Sequence, residues 1–256
     1  MTARLGLLLA VAMFFASCTD TGGGSTLSSF PVEHSSATSA TTASAASPSS
    51  HPLPSATPLG DSAVLIEAAS TGDASAVRDL LGRGASVNVR DSTGLTPVMA
   101  AARDGRVEAV RLLIAAGGDV NLKDNTQENA FSIAAINNHV EVLRLTISAG
   151  ADVNARNRFD GTALIAASDR GNVEVVRELV KTPIDLDHVN RLGWTALLEA
   201  IILGDGHQAH TEIVQLLVTA GADVNIADGN RVTPLQHARS RGYAGITDIL
   251  ERAGAR

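Results

Sequence analysis

Cysteine is nearly absent from this chain: one thiol, at position 18, serves 256 residues. That excludes a disulfide framework and any cysteine-built zinc site. Aromatic residues are scarce as well, at 3% with one Trp and one Tyr, so a core must be assembled from Ala, Val, Leu and Ile. Basic residues are in deficit, 20 Lys and Arg against 27 Asp and Glu, for a net charge of −7. This argues against nucleic acid or an anionic lipid surface as the main partner, because phosphate binding needs clustered Lys and Arg. What is present in quantity is Gly, 23 residues. The chain is long enough for one or two domains with a sizeable core.

The first sixty residues read as address and tether. Arg4 supplies a positive n-region, and Leu5 to Ala16 is an apolar stretch of 12 residues. A membrane-spanning helix needs roughly 20, so residues 1–17 read as a secretory signal, with a short uncleaved anchor as the alternative. Phe15-Ala16-Ser17-Cys18 resembles the bacterial lipobox, in which small residues precede a Cys that is acylated and becomes the mature N-terminus. The resemblance implies lipidation at Cys18 and attachment to a membrane; Phe15 departs from the usual aliphatic residue. An ordinary signal with an incidental Cys is the alternative. In Ser35–Gly60, 22 of 26 residues are Ser, Thr, Ala or Pro. Such a segment buries too little apolar surface to offset its ordering entropy, so residues 18–60 are expected to be a disordered tether. As a flexible coil, Thr19 to Gly60 would span roughly 35–40 Å.

The rest of the chain repeats. Thr96, Asn129, Thr162, Thr195 and Thr233 share one phase, at spacings of 33, 33, 33 and 38 residues. Asn88, Asn121, Asn154, Asp187 and Asn225 share another with the same spacings. A period of 33 means stacked supersecondary units over 60–91, 92–124, 125–157, 158–190, 191–228 and 229–256. Each unit has the same grammar. Thr96-Pro97 is a capping hydroxyl followed by Pro at the first helical position. An Ala-rich helix follows, Gly105 turns the chain, and a second helix buries Val107, Val110, Leu113 and Ile114 on one face. Gly117 supplies the positive φ that ends it, and Asp119-Val120-Asn121 opens a turn-rich segment.

Leu95 to Gly105 and the Ala-Gly-Ala-Asp-Val-Asn runs at 149–154 and 220–225 resemble ankyrin repeats. The likeness covers residues 61–256. It implies an all-α solenoid of about six units, each two antiparallel helices and a hairpin-like finger. Several departures matter. The family's Thr-Pro-Leu-His histidine is replaced by Met99, Ser132, Ile165, Leu198 and Gln236, so its inter-repeat hydrogen bonds are not expected. Pro183 stands where a turn glycine is usual and cannot adopt positive φ, so that helix must end differently. The fifth unit carries five extra residues near Asp205–His210, between its helices. The last unit's Thr247, Asp248, Glu251 and Arg252 suit a polar cap.

No Gly-x-Ser-x-Gly, phosphate-cradling loop or His-Glu-x-x-His occurs, and no catalytic residue or cofactor is expected. Asp205, His207 and His210 could form an open metal site, but a solvated turn explains them more simply. Asp185 and Asp187 fall in the phases of Asp152 and Asn154, so repeat grammar accounts for them. Ankyrin arrays use finger tips and inner helices to bind proteins, which the resemblance carries to Asp91, Asp124, Asn125, Gln127, Arg158, Phe159, Arg191, Trp194 and Arg231 as candidate contacts. Trp and Arg are common interface anchors, with Trp194 packing over Thr195 and the adjacent finger as the equal alternative. Inner-helix charges, among them Arg103, Asp104, Asp169 and Arg241, would flank that face. The expectation is a monomeric, lipid-anchored protein-binding module outside the cytoplasm, in a bacterial cell envelope. Bacterial relatives of this kind have been connected with supporting periplasmic catalase or restraining secreted effector enzymes, so an accessory factor or inhibitor is the alternative. A metal-dependent enzyme is the remote one.

Overall fold

The structure, a computed structural model, describes residues 58–256; the signal segment, Cys18 and the tether up to residue 57 lie outside the described residues. Twelve helices and no strand occur among the described residues. Inner helices α1 (Pro58–Thr71), α3 (Pro97–Arg103), α5 (Ala130–Ile136), α7 (Ala163–Asp169), α9 (Ala196–Ile202) and α11 (Pro234–Arg241) alternate with outer helices. The outer ones are α2 (Ala74–Gly82), α4 (Val107–Ala115), α6 (Val140–Ser148), α8 (Val173–Leu179), α10 (Gln208–Ala220) and α12 (Ala244–Arg252). Extended fingers join each outer helix to the next inner one. The first helix among the described residues opens at Pro58. Proline at a first helical position gives up only an N–H that has no helical partner there.

Inner helices are short and almost wholly buried because both flanks meet neighbouring repeats. In α3, Pro97 to Ala102 are all buried, and alanine lets adjacent helices approach closely. The capping phase works as expected: Thr96, Asn129, Thr162, Thr195 and Thr233 each accept a backbone N–H from three residues on. Outer helices are amphipathic. Val110 and Leu113 are fully buried in α4, as are Val176 and Leu179 in α8, and each such side chain contributes about 1.5–3 kcal/mol. The glycine closing α4, Gly117, has φ +88°. At Pro183 the chain does end differently: α8 stops after seven residues, and Lys181 and Thr182 close tight turns onto the Glu178 and Leu179 carbonyls. Of the five extra residues, two widen the turn after α9 and three lengthen α10 at its N-terminus, so that α10 runs to 13 residues against nine in α4.

Two hydrogen-bond ladders stitch the stack. The Asn phase bridges each finger to the next. Asn121 accepts from the Asp152 N–H (2.8 Å) and donates to the Gly150 carbonyl (3.0 Å). Asn88 and Asn154 repeat both bonds, whereas Asp187, lacking a donor, makes only the first, from Asp223 N–H. The second ladder was not anticipated. Five of the six outer helices, at the residue just before the common phase of Val107, reach back to carbonyls at or just past the end of the preceding repeat's inner helix. Arg106 meets Ser70, His139 meets Arg103, Asn172 meets Ala135 and Ile136, His210 meets Asp169, and Tyr243 meets Gly204. These bonds supply the inter-repeat connections that the missing Thr-Pro-Leu-His histidine left unassigned.

Candidate protein-binding face

Each finger turns on one side-chain oxygen. Asp91 Oδ1 accepts the N–H groups of Thr93 (2.8 Å) and Leu95 (2.9 Å), and Asp124 Oδ1 those of Thr126 and Glu128. Asn157, Asn190 and Asp228 do the same in the later fingers. Asp91 and Asp124, candidate contacts by sequence, are therefore the pins of their own turns. An Asx turn needs its acceptor at that place whatever a partner offers. For Asp91, burial pushes the carboxyl up but the bonds from Thr93, Leu95 and Gly94 outweigh it, and the group stays below its ordinary range.

Trp194 also moves out of the contact set. It is 7% exposed and packs with Leu198, Ile202 and Leu203 in a cluster apart from the main core. Trp194 shares its repeat phase with the half-buried Leu95, Glu128 and Val232 and the buried Gly161, a phase that leans toward the interior, and its large ring goes deepest. Asn125 is exposed, but its backbone N–H and amide bond the Thr93 and Ser92 carbonyls across to the second finger. Gln127 and Arg231 are exposed residues held at φ 66° and 65°, in the phase where Gly94 and Gly193 stand.

Arg158, Phe159 and Arg191 are brought together. Arg191 N–H donates to the Phe159 carbonyl at 3.2 Å, so the fourth and fifth finger tips are in contact. The Arg158 guanidinium stacks over the half-buried Phe159 ring, 4.8 Å from its centroid. Beside them Val189 and Leu192 are 40% and 41% exposed. The inner-helix charges, by contrast, are mostly satisfied within the fold. Arg103 pairs with Asp104, Arg239 with Glu251, and Arg241 bonds His237 and the Ile202 carbonyl.

Below the fingers lies a group the sequence did not single out. Glu199 on α9 is 4% exposed and accepts from Asn190 Nδ2 at 2.8 Å. Burial, with help from the nearby Asp169 carboxylate, pushes it up to about 8. Asp169 is itself raised by burial, against the pull of Arg170 and His210. Glu199 is therefore mostly protonated at neutral pH. Its phase holds Ala100, Ile133 and Ala166 in earlier repeats, which marked the position as interior.

The inserted loop is self-contained. Asp205 accepts from the His207 N–H (2.9 Å), and its carboxylate lies 3.0 Å from His207 Nδ1 and 3.2 Å from His210 Nδ1. Those bonds, the backbone one first, hold the Asp205 carboxyl well below its ordinary range. His210 Nε2 is spent on the Asp169 carbonyl, so the trio anchors α10 against the fourth repeat. Among the described residues, no group of three His, Cys, Asp or Glu side chains is placed to hold a metal ion.

With this geometry in hand, comparison with known proteins is direct. The family description of ankyrin repeats in three copies matches residues 65–157 and 147–228. The Escherichia coli (strain K12) ankyrin repeat protein YahD is 46% identical over 57 residues, 22% of this chain and 28% of its own length. A solved ankyrin repeat domain from Acinetobacter baumannii AYE superposes with TM-score 0.73 and 46% identity, over 75% of this chain and 98% of that one. The solved ankyrin repeat protein EF0377 gives TM-score 0.71 and 32% identity, with the same two coverages. The chain thus belongs to the ankyrin-repeat family, whose arrays mediate protein–protein interaction and are typically scaffolds rather than enzymes.

Proposed function

We propose that this protein is a lipid-anchored binding module that holds a partner protein at the outside of a bacterial membrane. The observation carrying the binding half is the fourth and fifth finger tips, where Arg158, Arg191 and Leu192 stand exposed on a scaffold whose other polar groups are largely satisfied. A rigid, tightly bonded face needs little reorganisation on docking, which lowers the cost of association. The anchoring half rests on Arg4, the apolar stretch to Ala16 and Cys18. A tether of about forty residues would let a lipid-bound array sweep the membrane surface at raised local concentration.

Two measurements test it. Fatty-acid labelling with membrane fractionation should show the parent acylated and membrane-bound, and the Cys18→Ala variant unlabelled; a labelled variant refutes the anchor. Capture from envelope extract with the full chain should retain a protein that Arg158→Ala/Arg191→Ala/Arg231→Ala loses while its circular dichroism melt is unchanged. An identical catch from both chains would remove the finger tips from the reading.

A further inference from the structure

We infer that the fourth and fifth finger tips read an extended acidic segment of the partner, with two carboxylates three residues apart. This deepens the protein-binding reading and rests on it. The first argument is equivalence. Arg158-Phe159 and Arg191-Leu192 occupy the same two positions of successive fingers, one 33-residue period apart. The other fingers carry Ser92-Thr93, Asn125-Thr126 and Gly229-Asn230 there, so a basic residue followed by an apolar one is confined to this adjoining pair.

The second argument is what these arginines lack. Several arginines find carboxylates, among them Arg78 with Glu108, Arg144 with Glu178, and Arg177 with both Glu174 and Glu212, while Arg106 and Arg241 bond backbone carbonyls instead. Among the described residues, no carboxylate lies at ion-pair distance from Arg158 or Arg191, although the chain as a whole is acidic. The Arg158 guanidinium sits over the Phe159 ring, 4.8 Å from its centroid, a contact that spends no N–H on a carboxylate; a guanidinium's N–H groups suit a bidentate carboxylate. Val189 and Leu192, two of the three large exposed apolar residues in the described chain, flank Arg191 on the fifth finger and supply apolar contact area there.

The third argument is spacing. Arg158 N–H donates to the Thr126 carbonyl and Arg191 N–H to that of Phe159, each at 3.2 Å, so both tips are fixed to their neighbours. Packed repeats lie about 10 Å apart, the ordinary separation of packed helices. A segment in the extended polyproline II conformation advances about 3.1 Å per residue with three residues per turn, so side chains three apart face the same side at about one repeat's separation. Two guanidinium groups on an otherwise acidic protein make a poor match for a membrane surface, which favours a short acidic protein segment.

Fluorescence anisotropy on the full chain in nonionic detergent is the test. The probe is a labelled peptide containing Glu-Val-Ser-Glu, compared with one in which both glutamates are glutamines. The acidic peptide should bind, weaken as salt rises, and lose at least tenfold in affinity when glutamine replaces glutamate. Arg158→Ala/Arg191→Ala should lose tenfold or more with an unchanged thermal melt, while Arg252→Ala, an exposed arginine at the far end of the array, should bind as the parent does. Equal binding of the two peptides, or equal binding by parent and double variant, overturns the assignment. So does displacement of the peptide by short-chain phosphatidylglycerol but not phosphatidylcholine, which would give the tips to lipid. Failure here alongside a protein captured by both parent and double variant would leave protein binding standing elsewhere on the array.

Discussion

The second and third fingers and the fourth and fifth fingers share a backbone and differ in what their tips do. In the former, Ser92, Thr93, Asn125 and Thr126 spend their polar groups on the turn itself or on the adjacent finger. In the latter, the same backbone bonds are made, yet the side chains at those positions are arginines and apolar residues pointing to no partner carboxylate. Keeping the scaffold constant while the tip residues change separates folding from recognition. The fourth and fifth repeats also carry the array's irregularities: a shortened α8, a lengthened α10, and the buried acid Glu199. The regular half contributes repetition, and the irregular half contributes surface.

The largest test of this division sets the two finger aromatics against each other. Trp194→Ala should lower unfolding free energy by about 3 kcal/mol, the cost of emptying a packed aromatic site, and Phe159→Ala by less than about 1. Equal losses in urea melts would mean that both rings are structural. Next comes pH. Glu199 titrates near 8 when folded against an ordinary 4.5, so the folded state keeps a proton that the unfolded chain releases. Stability therefore falls as pH rises from about 5 through 8, with a ceiling of about 1.4 kcal/mol per pH unit. Glu199→Gln should flatten that slope in thermal melts at successive pH values; an unchanged slope would point instead to other raised acids such as Asp169 and Glu128. The smallest effect belongs to the third finger. Gln127 sits at φ 66°, where the fifth finger has Gly193 at φ 80°, so Gln127→Gly should gain about 0.5 kcal/mol. A loss in the same urea melts would show that the glutamine side chain holds the turn.

Periodicity made most of the fold legible. The capping threonines, the bridging asparagines and the turn glycines all recur with the unit, and each does in the structure what its chemistry requires. Trp194 stood between a finger anchor and packing over Thr195; at 7% exposure it packs on Leu198, Ile202 and Leu203, a depth that half-buried Leu95 and Val232 in the same phase do not announce. The second ladder escaped because its members, Arg106, His139, Asn172, His210 and Tyr243, look unrelated as side chains. What they share is reach and a terminal donor, a geometric property that residue identity conceals. Asp91 and Asp124 entered the contact set through their finger positions, while their role as turn acceptors for the N–H groups two and four residues on was available in the same letters.

The bridging asparagines have one more consequence. Each joins only neighbouring fingers, and the extra residues of the fifth repeat lie away from the fingers, in the outer helix and the turn that leads into it. The row of tips is therefore a ruler with a fixed graduation, and growth of the helices behind it leaves the marks in place. Substituting a tip changes which mark can be read without altering the distance between marks. An array of this kind acquires a new partner by relettering two graduations, and the unit of length it measures stays one repeat.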